Sequence, residues 1–367
     1  MRVRRATHGD LDALVRLEEN FPSDRLPRRS LHHLITRAHA DAWVAVSGGA
    51  VVGDAIVLYR RGFDAARLYS LVVAPQARRR GVADALLEVT EAAALERGCV
   101  AVRLEVREDA LPAQRLYRRR GYQVFGRSGA YYLDGTDAIR MSKRLRGDAP
   151  ALLGVPFVPQ SLPFSCGPAC LMMAMRAFGG AVPPSRAEEL ALWREATTVY
   201  LAAGHGGCSP HGLAVAAARR GFDVEVYDRD GAVPFLDSVR ADAKKEVVRL
   251  AHDEFLAELR ERGVRVVVAP FGIETVDAAV RRGRIAILLV SGYRLYAQKT
   301  PHWVVVTGSD EDHLYVHDPF VPEGSERADG VHLPLPRSAF EAVANFGKAR
   351  HRYLVSIGPP SAGSRAR

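Results

Sequence analysis

The stretch that most limits what this chain can become is Pro159-Gln160-Ser161-Leu162-Pro163-Phe164-Ser165-Cys166-Gly167-Pro168-Ala169-Cys170, which runs into the apolar Leu171-Met172-Met173-Ala174-Met175. A polar loop stops at a cysteine, and an apolar helical pattern starts there. A thiol at a helix N-terminus meets the positive end of the helix dipole and backbone N–H groups with no partner inside the helix. That lowers a thiol pKa and favours the thiolate, the form that attacks a carbonyl carbon. Gln160, upstream, can place a side-chain amide where an oxyanion forms. Alone, such a cysteine is more often an inert residue on a buried helix face, so its partners decide.

Thr300-Pro301-His302-Trp303-Val304-Val305-Val306-Thr307-Gly308 sets a histidine at the start of a β-branched run. A turn follows at Asp310-Glu311-Asp312, and His313-Leu314-Tyr315-Val316-His317-Asp318-Pro319-Phe320 reads as a second strand that ends in an aspartate. A hairpin of these two strands sets His302 beside Asp318. An imidazole needs an acceptor on its second nitrogen to fix its tautomer, and a carboxylate supplies one. Cys166, His302, Asp318 and Gln160 then stand as nucleophile, base, orienter and oxyanion donor. The order Gln…Cys…His…Asp resembles papain-like cysteine peptidases, and within them the bacteriocin-processing, double-glycine leader peptidases fused to some exporters. The resemblance covers roughly residues 151–357 and implies a helix packed on an antiparallel sheet. It departs at Ser165, where those peptidases often carry an aspartate, and in the longer segment 181–265.

A chain of 367 residues is long enough for two domains. No run of 18 apolar residues is present, the start lacks the apolar centre of a signal peptide, and four cysteines do not make a disulfide framework. These features predict a cytoplasmic protein with no membrane partner. The net charge of +9 is spread over scattered arginines. It predicts a solvated basic surface and a phosphate site rather than a specific nucleic-acid interface.

In the first half, Val3–Thr7, 42–46, 50–60, Arg67–Ala74, Ala101–Arg107, Tyr122–Gly126 and Ala138–Lys143 read as strands. Helices are expected over Asp10–Glu18, with Asp10 as N-cap, over 28–37, and over Leu111–Arg120. Pro75-Gln76-Ala77-Arg78-Arg79-Arg80-Gly81-Val82-Ala83 is a basic loop that opens another amphipathic helix. Backbone N–H groups there can cradle a pyrophosphate, helped by Arg78, Arg79 and Arg80. Arg78-x-x-Gly81-x-Ala83, Leu104-Glu105-Val106-Arg107, Leu116-Tyr117-x-x-x-Gly121-Tyr122, Tyr131-Tyr132 and Asp137-Ala138-x-x-Met141 together resemble the GCN5-related N-acetyltransferases, in their ribosomal-protein-alanine acetyltransferase branch. The resemblance implies acetyl-CoA as cofactor, held by Leu71 and Val73 through their backbone and by Arg78, Arg79, Arg80, Gly81, Val82 and Ala83. It implies Glu105 as the base and Tyr117 as the acid. Ala110 stands where family members often have an asparagine.

The pattern breaks over Arg144–Leu153. The expected organisation is α+β in two domains: an acetyltransferase over 1–146, a linker over 147–155, a papain-like domain over 156–357, and a disordered tail over 358–367. Helices are expected over 188–197, 213–220, 238–263 and 275–282, the third as a lid or docking face. Gly204-His205-Gly206-Gly207-Cys208-Ser209-Pro210-His211-Gly212 offers three zinc-type ligands and no evident fourth, so it reads as a substrate-facing loop and no metal is expected. Cys170, one turn after Cys166, reads as core. The expected activities are acetylation of a protein or peptide amine, with a ribosomal protein or leader peptide among the candidates, and cleavage of a peptide amide. A non-hydrolytic peptide-binding domain and an acyl-transferring one remain open beside the peptidase.

Overall fold

In a computed structural model of the chain, residues 1–21, 24–36, 39–180, 184–198, 206–239, 241–320 and 330–360 are described. The chain divides into two units, Met1–Ala149 and Pro150–Arg367.

The first unit runs β1 (Arg2–Arg5), α1 (Leu11–Glu18), α2 (Arg28–Thr36), β2 (Ala40–Ser47), β3 (Ala50–Tyr59), β4 (Ala65–Val73), α3 (Val82–Glu96), β5 (Ala101–Arg107), α4 (Leu111–Arg119), β6 (Gln123–Ser128) and β7 (Ala138–Arg144). The sheet order is β1-β2-β3-β4-β5-β7-β6, with β4 at its centre. Strand periodicity sorts the faces. Leu68, Val102, Leu104, Val106, Ile139 and Met141 pack with Leu86 and Leu87 of α3 and Tyr117 of α4. Arg67, Arg103, Glu105 and Arg107 alternate with that set and take the other face. Leu11, Leu14 and Leu31 of α1 and α2 cover Val44 and Ile56. Asp10 does not cap α1 through its side chain. Its carboxylate accepts from the Thr7 N–H at 2.8 Å and from both terminal nitrogens of Arg4, which ties β1 to the turn before α1.

The parallel pair β4–β5 decides where a ligand can enter. Its register runs from Ala65–Ala101 only to Leu68–Leu104. β4 continues to Val73 and β5 to Arg107 without pairing each other, so the strands splay into a wedge.

The second unit runs α5 (Cys166–Ala177), α6 (Arg186–Ala196), α7 (Pro210–Arg219), β8 (Phe222–Asp228), α8 (Asp242–Glu261), β9 (Arg265–Val268), α9 (Ile273–Arg281), β10 (Ile285–Ser291), α10 (Gly292–Tyr296), β11 (Pro301–Ser309), β12 (His313–His317), β13 (Leu333–Pro336), α11 (Phe340–Val343) and β14 (Tyr353–Pro360). The order is β13-β12-β11-β10-β14-β8-β9. All pairs are antiparallel except β8–β9, one parallel pair in a sheet expected to be antiparallel. Every residue of β10 is buried, as its unbroken apolar run demands. Ile285, Ile287 and Leu289 share a core with Trp303, Val305 and the apolar body of α5.

Residues expected in the linker pack on this unit. Leu153 N–H donates to Thr307 O at 2.7 Å, and a histidine nitrogen of His317 lies 2.9 Å from Val155 O. Gly358–Pro360 belong to β14 rather than to a tail, and 361–367 lie outside the described residues. α8 buries Val248, His252, Phe255 and Leu259 along one stripe. That stripe packs against α7, and the helix leaves its other face to solvent. Among the described residues no helix is long and apolar enough to cross a membrane.

Candidate functional sites

Cys166 is the first residue of α5, after Ser165 in a non-helical conformation. The backbone N–H groups of Trp303, in β11, and of Gly167 lie near enough to its thiol to favour the thiolate. Only 8% of the residue is exposed. Burial pushes the thiol up to about 11, opposed in part by those N–H donors and increased by the nearby Asp318 carboxylate. The helix terminus was expected to lower it; here desolvation outweighs the dipole.

His302 Nε2 lies 2.8 Å from Asp318 Oδ1, and both residues are buried. The antiparallel pairing of β11 with β12 brings them together just past the Val305–His317 pair. Asp318 Oδ1 also accepts from Phe320 N–H at 3.0 Å. Its Oδ2 accepts from the Tyr296 hydroxyl. The Tyr296 ring stands edge-on to His302 with centroids 5.6 Å apart. Sequence reasoning missed Tyr296; the aromatic run Gly292-Tyr293-Arg294-Leu295-Tyr296 just before the histidine was its one signal.

Gln160 N–H donates to Pro319 O at 2.9 Å, which ties the glutamine to the residue after Asp318. Its side-chain Nε2 donates to Leu162 O at 2.8 Å. One of the amide's two protons is thus engaged in the loop. A second missed residue, Glu189 of α6, is 2% exposed and accepts from Ser161 N–H at 2.7 Å and from the hydroxyls of Ser161 and Ser165.

Cys208 abuts Gly167, where an added Cβ would lie 3.1 Å from the Cys208 Cβ. Cys208, in the Gly206–Ser209 part of the glycine-rich loop, therefore borders the first turn of α5, which Cys166 opens. His211 turns away, toward His252 and Asp228, so Cys208 and His211 do not converge on one point, and His205 lies outside the described residues. Among the described residues no group of three or more metal-type side chains gathers. Cys170 is fully buried in the core, and burial holds its thiol well above the ordinary value.

In the first unit, Glu105 Oε2 accepts from Arg67 Nε at 2.9 Å, and Arg67 also donates to the Tyr131 hydroxyl at 2.9 Å. Burial raises the phenol pKa of Tyr117 and Tyr132; Glu105 and then Tyr117 add to the rise at Tyr132. Tyr132 therefore lies within electrostatic reach of both Glu105 and Tyr117. Gln114 ties the β5–α4 turn beside Ala110, donating to Arg107 O at 3.1 Å and Glu108 O at 2.8 Å.

Arg78, Arg79 and Arg80 are exposed ahead of α3, Val82 is buried and Ala83 half-buried. Gly81 has φ +75°, a conformation that favours glycine. Ala85 N–H closes the first turn onto Gly81 O at 3.0 Å. The N–H groups of Val82, Ala83 and Asp84 thus point out of the helix end. Oriented N–H donors beside three guanidiniums suit a pyrophosphate. The unpaired flank of β4 around Leu71 and Val73 suits an amide-bearing arm. This donor set fits the acetyl-CoA that GNAT acetyltransferases use.

The family described as Peptidase_C39 like matches residues 155–358. The acetyltransferase (GNAT) family matches residues 11–122. An uncharacterized N-acetyltransferase of Methanocaldococcus jannaschii is 30% identical over 145 residues, 39% of this chain and 92% of that protein. An N-alpha-acetyltransferase of Sulfurisphaera tokodaii is 28% identical over 155 residues, 39% of this chain and 93% of that protein. Among solved structures, the Escherichia coli ribosomal-protein-S18-alanine N-acetyltransferase is 24% identical over 40% of this chain and 96% of its own, with a TM-score of 0.37.

Proposed function

The chain belongs to the Peptidase_C39 like family through residues 155–358 and carries a GNAT acetyltransferase domain before them, and on that footing we propose two activities in one protein: N-acetylation of a protein or peptide amine, and Cys-His-Asp cleavage of a peptide amide. The observation that carries the second is the buried His302–Asp318 pair, 2.8 Å apart, with Asp318 and the Trp303 backbone both close enough to the Cys166 thiol to act on its charge.

In the cleavage reaction Nε2 of His302 is committed to Asp318, so Nδ1 takes the thiol proton. Cys166 Sγ bonds to the carbonyl carbon, and the oxyanion takes the Cys166 N–H and the remaining proton of the Gln160 amide. The C–N bond breaks as His302 returns its proton to the leaving amine, and water releases the acyl group by the reverse path. Iodoacetamide labelling followed by mass spectrometry tests this. Cys166 should label at pH 7 in the wild type and lose labelling in His302→Ala; equal labelling in both rejects a working pair.

A second reading, a domain that binds peptide or transfers an acyl group without hydrolysis, is favoured by the burial of the thiol at about 11. Product mass separates the outcomes: a hydrolysed peptide, an amine-capped one, or none.

In the first domain, acetyl-CoA when bound supplies the activated acetyl group. Leu71 and Val73 would hold it through their backbone, and Arg78, Arg79, Arg80, Gly81, Val82 and Ala83 would take its phosphates. Glu105 accepts the proton of the acceptor nitrogen, a step that requires the Arg67 guanidinium to yield one of its contacts. As the acceptor nitrogen bonds to the acetyl carbon and the carbon–sulfur bond breaks, Tyr117, kept protonated by burial, would donate a proton to the sulfur. The name of the Sulfurisphaera relative supports an N-terminal α-amine as acceptor. Cleavage exposes such an amine, which links the two halves. Acetylation of only the uncleaved substrate, read by mass spectrometry, would break that link.

A further inference from the structure

The carboxylate of Glu189 is 2% exposed, and the hydrogen bonds it accepts come from the segment between Gln160 and Cys166. Ser161 gives its N–H to Oε1 at 2.7 Å and its hydroxyl to Oε2. Ser165 Oγ lies 2.5 Å from Oε1. Burying a carboxylate is costly unless donors satisfy it. An apolar side chain on α6 would fill the same space at less cost, so these bonds need a reason beyond packing.

The network leads to the oxyanion donors. Ser165 Oγ, fixed by Glu189, accepts from Leu162 N–H at 3.2 Å and lies 2.9 Å from Leu162 O. That same Leu162 O accepts from Gln160 Nε2 at 2.8 Å. The direction of the second amide proton of Gln160 therefore depends on the Leu162 carbonyl, which depends on Ser165, which depends on Glu189. Ser165 is also the residue whose conformation starts α5 and aims the Cys166 N–H. Ser165 makes no side-chain cap bond to α5; its hydroxyl is turned to Glu189 instead.

We propose that Glu189 is a positioning residue for the oxyanion site: it touches no substrate and holds the Ser161–Ser165 loop so that Gln160 and the Cys166 N–H converge on one oxygen. This rests on the cleavage reading above. It predicts that Glu189 matters only for reactions at Cys166 that place negative charge on an oxygen.

Two thiol reagents separate those cases on the full-length protein. N-acetyl-glycyl-glycinal adds to Cys166: Sγ bonds to the aldehyde carbon, the carbonyl electron pair moves to oxygen, and the proton taken by His302 ends on that oxygen. Iodoacetamide alkylates the same sulfur with loss of iodide and forms no oxyanion. Glu189→Ala should weaken aldehyde binding roughly 100-fold, the scale of losing one oxyanion donor, with the alkylation rate unchanged within about twofold. Glu189→Gln, which keeps one acceptor oxygen, and Ser165→Ala should fall between wild type and Glu189→Ala. Equal aldehyde affinity in all four proteins overturns the proposal. A parallel fall in aldehyde affinity, alkylation and melting temperature also overturns it, because that is what a purely structural residue gives. Wild type that alkylates but never binds the aldehyde defeats the cleavage reading itself, a different result from either.

Discussion

At the residue scale, Cys166 and Asp54 both carry the cost of burial. With the thiol pushed up to about 11, unaided ionisation at pH 7 leaves about one thiolate in ten thousand. Reactivity at neutral pH therefore needs the proton to go to His302 rather than to water. His302→Ala should slow alkylation at pH 7 by about 100-fold or more and regain rate as pH rises toward 11, seen in a pH series of labelling rates. Asp54 is buried, and neither carboxylate oxygen has a hydrogen-bond partner among the described residues. Burial and then Glu18 hold its pKa well above the ordinary value. The folded state thus binds a proton that the unfolded state releases above about pH 4, so this group costs stability increasingly as pH rises from there. Asp54→Asn should raise the melting temperature of the first unit at pH 7.5 and change it little at pH 4; scanning calorimetry at both values checks this.

At the scale of elements, helix ends and strand ends build the sites. The N-terminus of α3 with Arg78, Arg79 and Arg80 suits a phosphate, and replacing the three arginines with alanine should weaken acetyl-CoA binding roughly tenfold or more. That loss should shrink at high salt, as calorimetric titration can show. α7 lies so close to α6 that a Cβ on Gly212 would meet Ala196 O at 2.5 Å and Ala196 Cα at 2.7 Å. Those are backbone atoms with no soft side chain to yield. Gly212→Ala should destabilise the second unit by about 1–3 kcal/mol in a urea titration. Because α6 carries Glu189, it should also disturb the loop before Cys166.

At the scale of the whole molecule, the core that includes Leu86, Leu104 and Met141 lies within the first unit. The core that includes α5, β10 and Trp303 lies within the second. Each unit buries its own apolar set and should unfold as its own cooperative step. Calorimetry of the full chain should give two transitions, with Gly212→Ala moving one and Asp54→Asn the other. Likewise Cys166→Ala should leave acetyl transfer intact, and Tyr117→Phe should leave Cys166 labelling intact.

Much of this was legible in the chain alone. Strand and helix periods and the basic loop before Val82 come from neighbours in sequence, and local propensity and alternation are local physics; the order of Gln160, Cys166, His302 and Asp318 was read through a family resemblance. The splay of β4 from β5, the desolvation that raises the Cys166 thiol, the Arg67 contact on Glu105, and the hold of Tyr296 on Asp318 and of Glu189 on Ser165 are another matter. The contacts join side chains tens of residues apart, and the splay and the desolvation depend on how whole elements pack, so sequence spacing does not set their energy. Tertiary structure alone decided those.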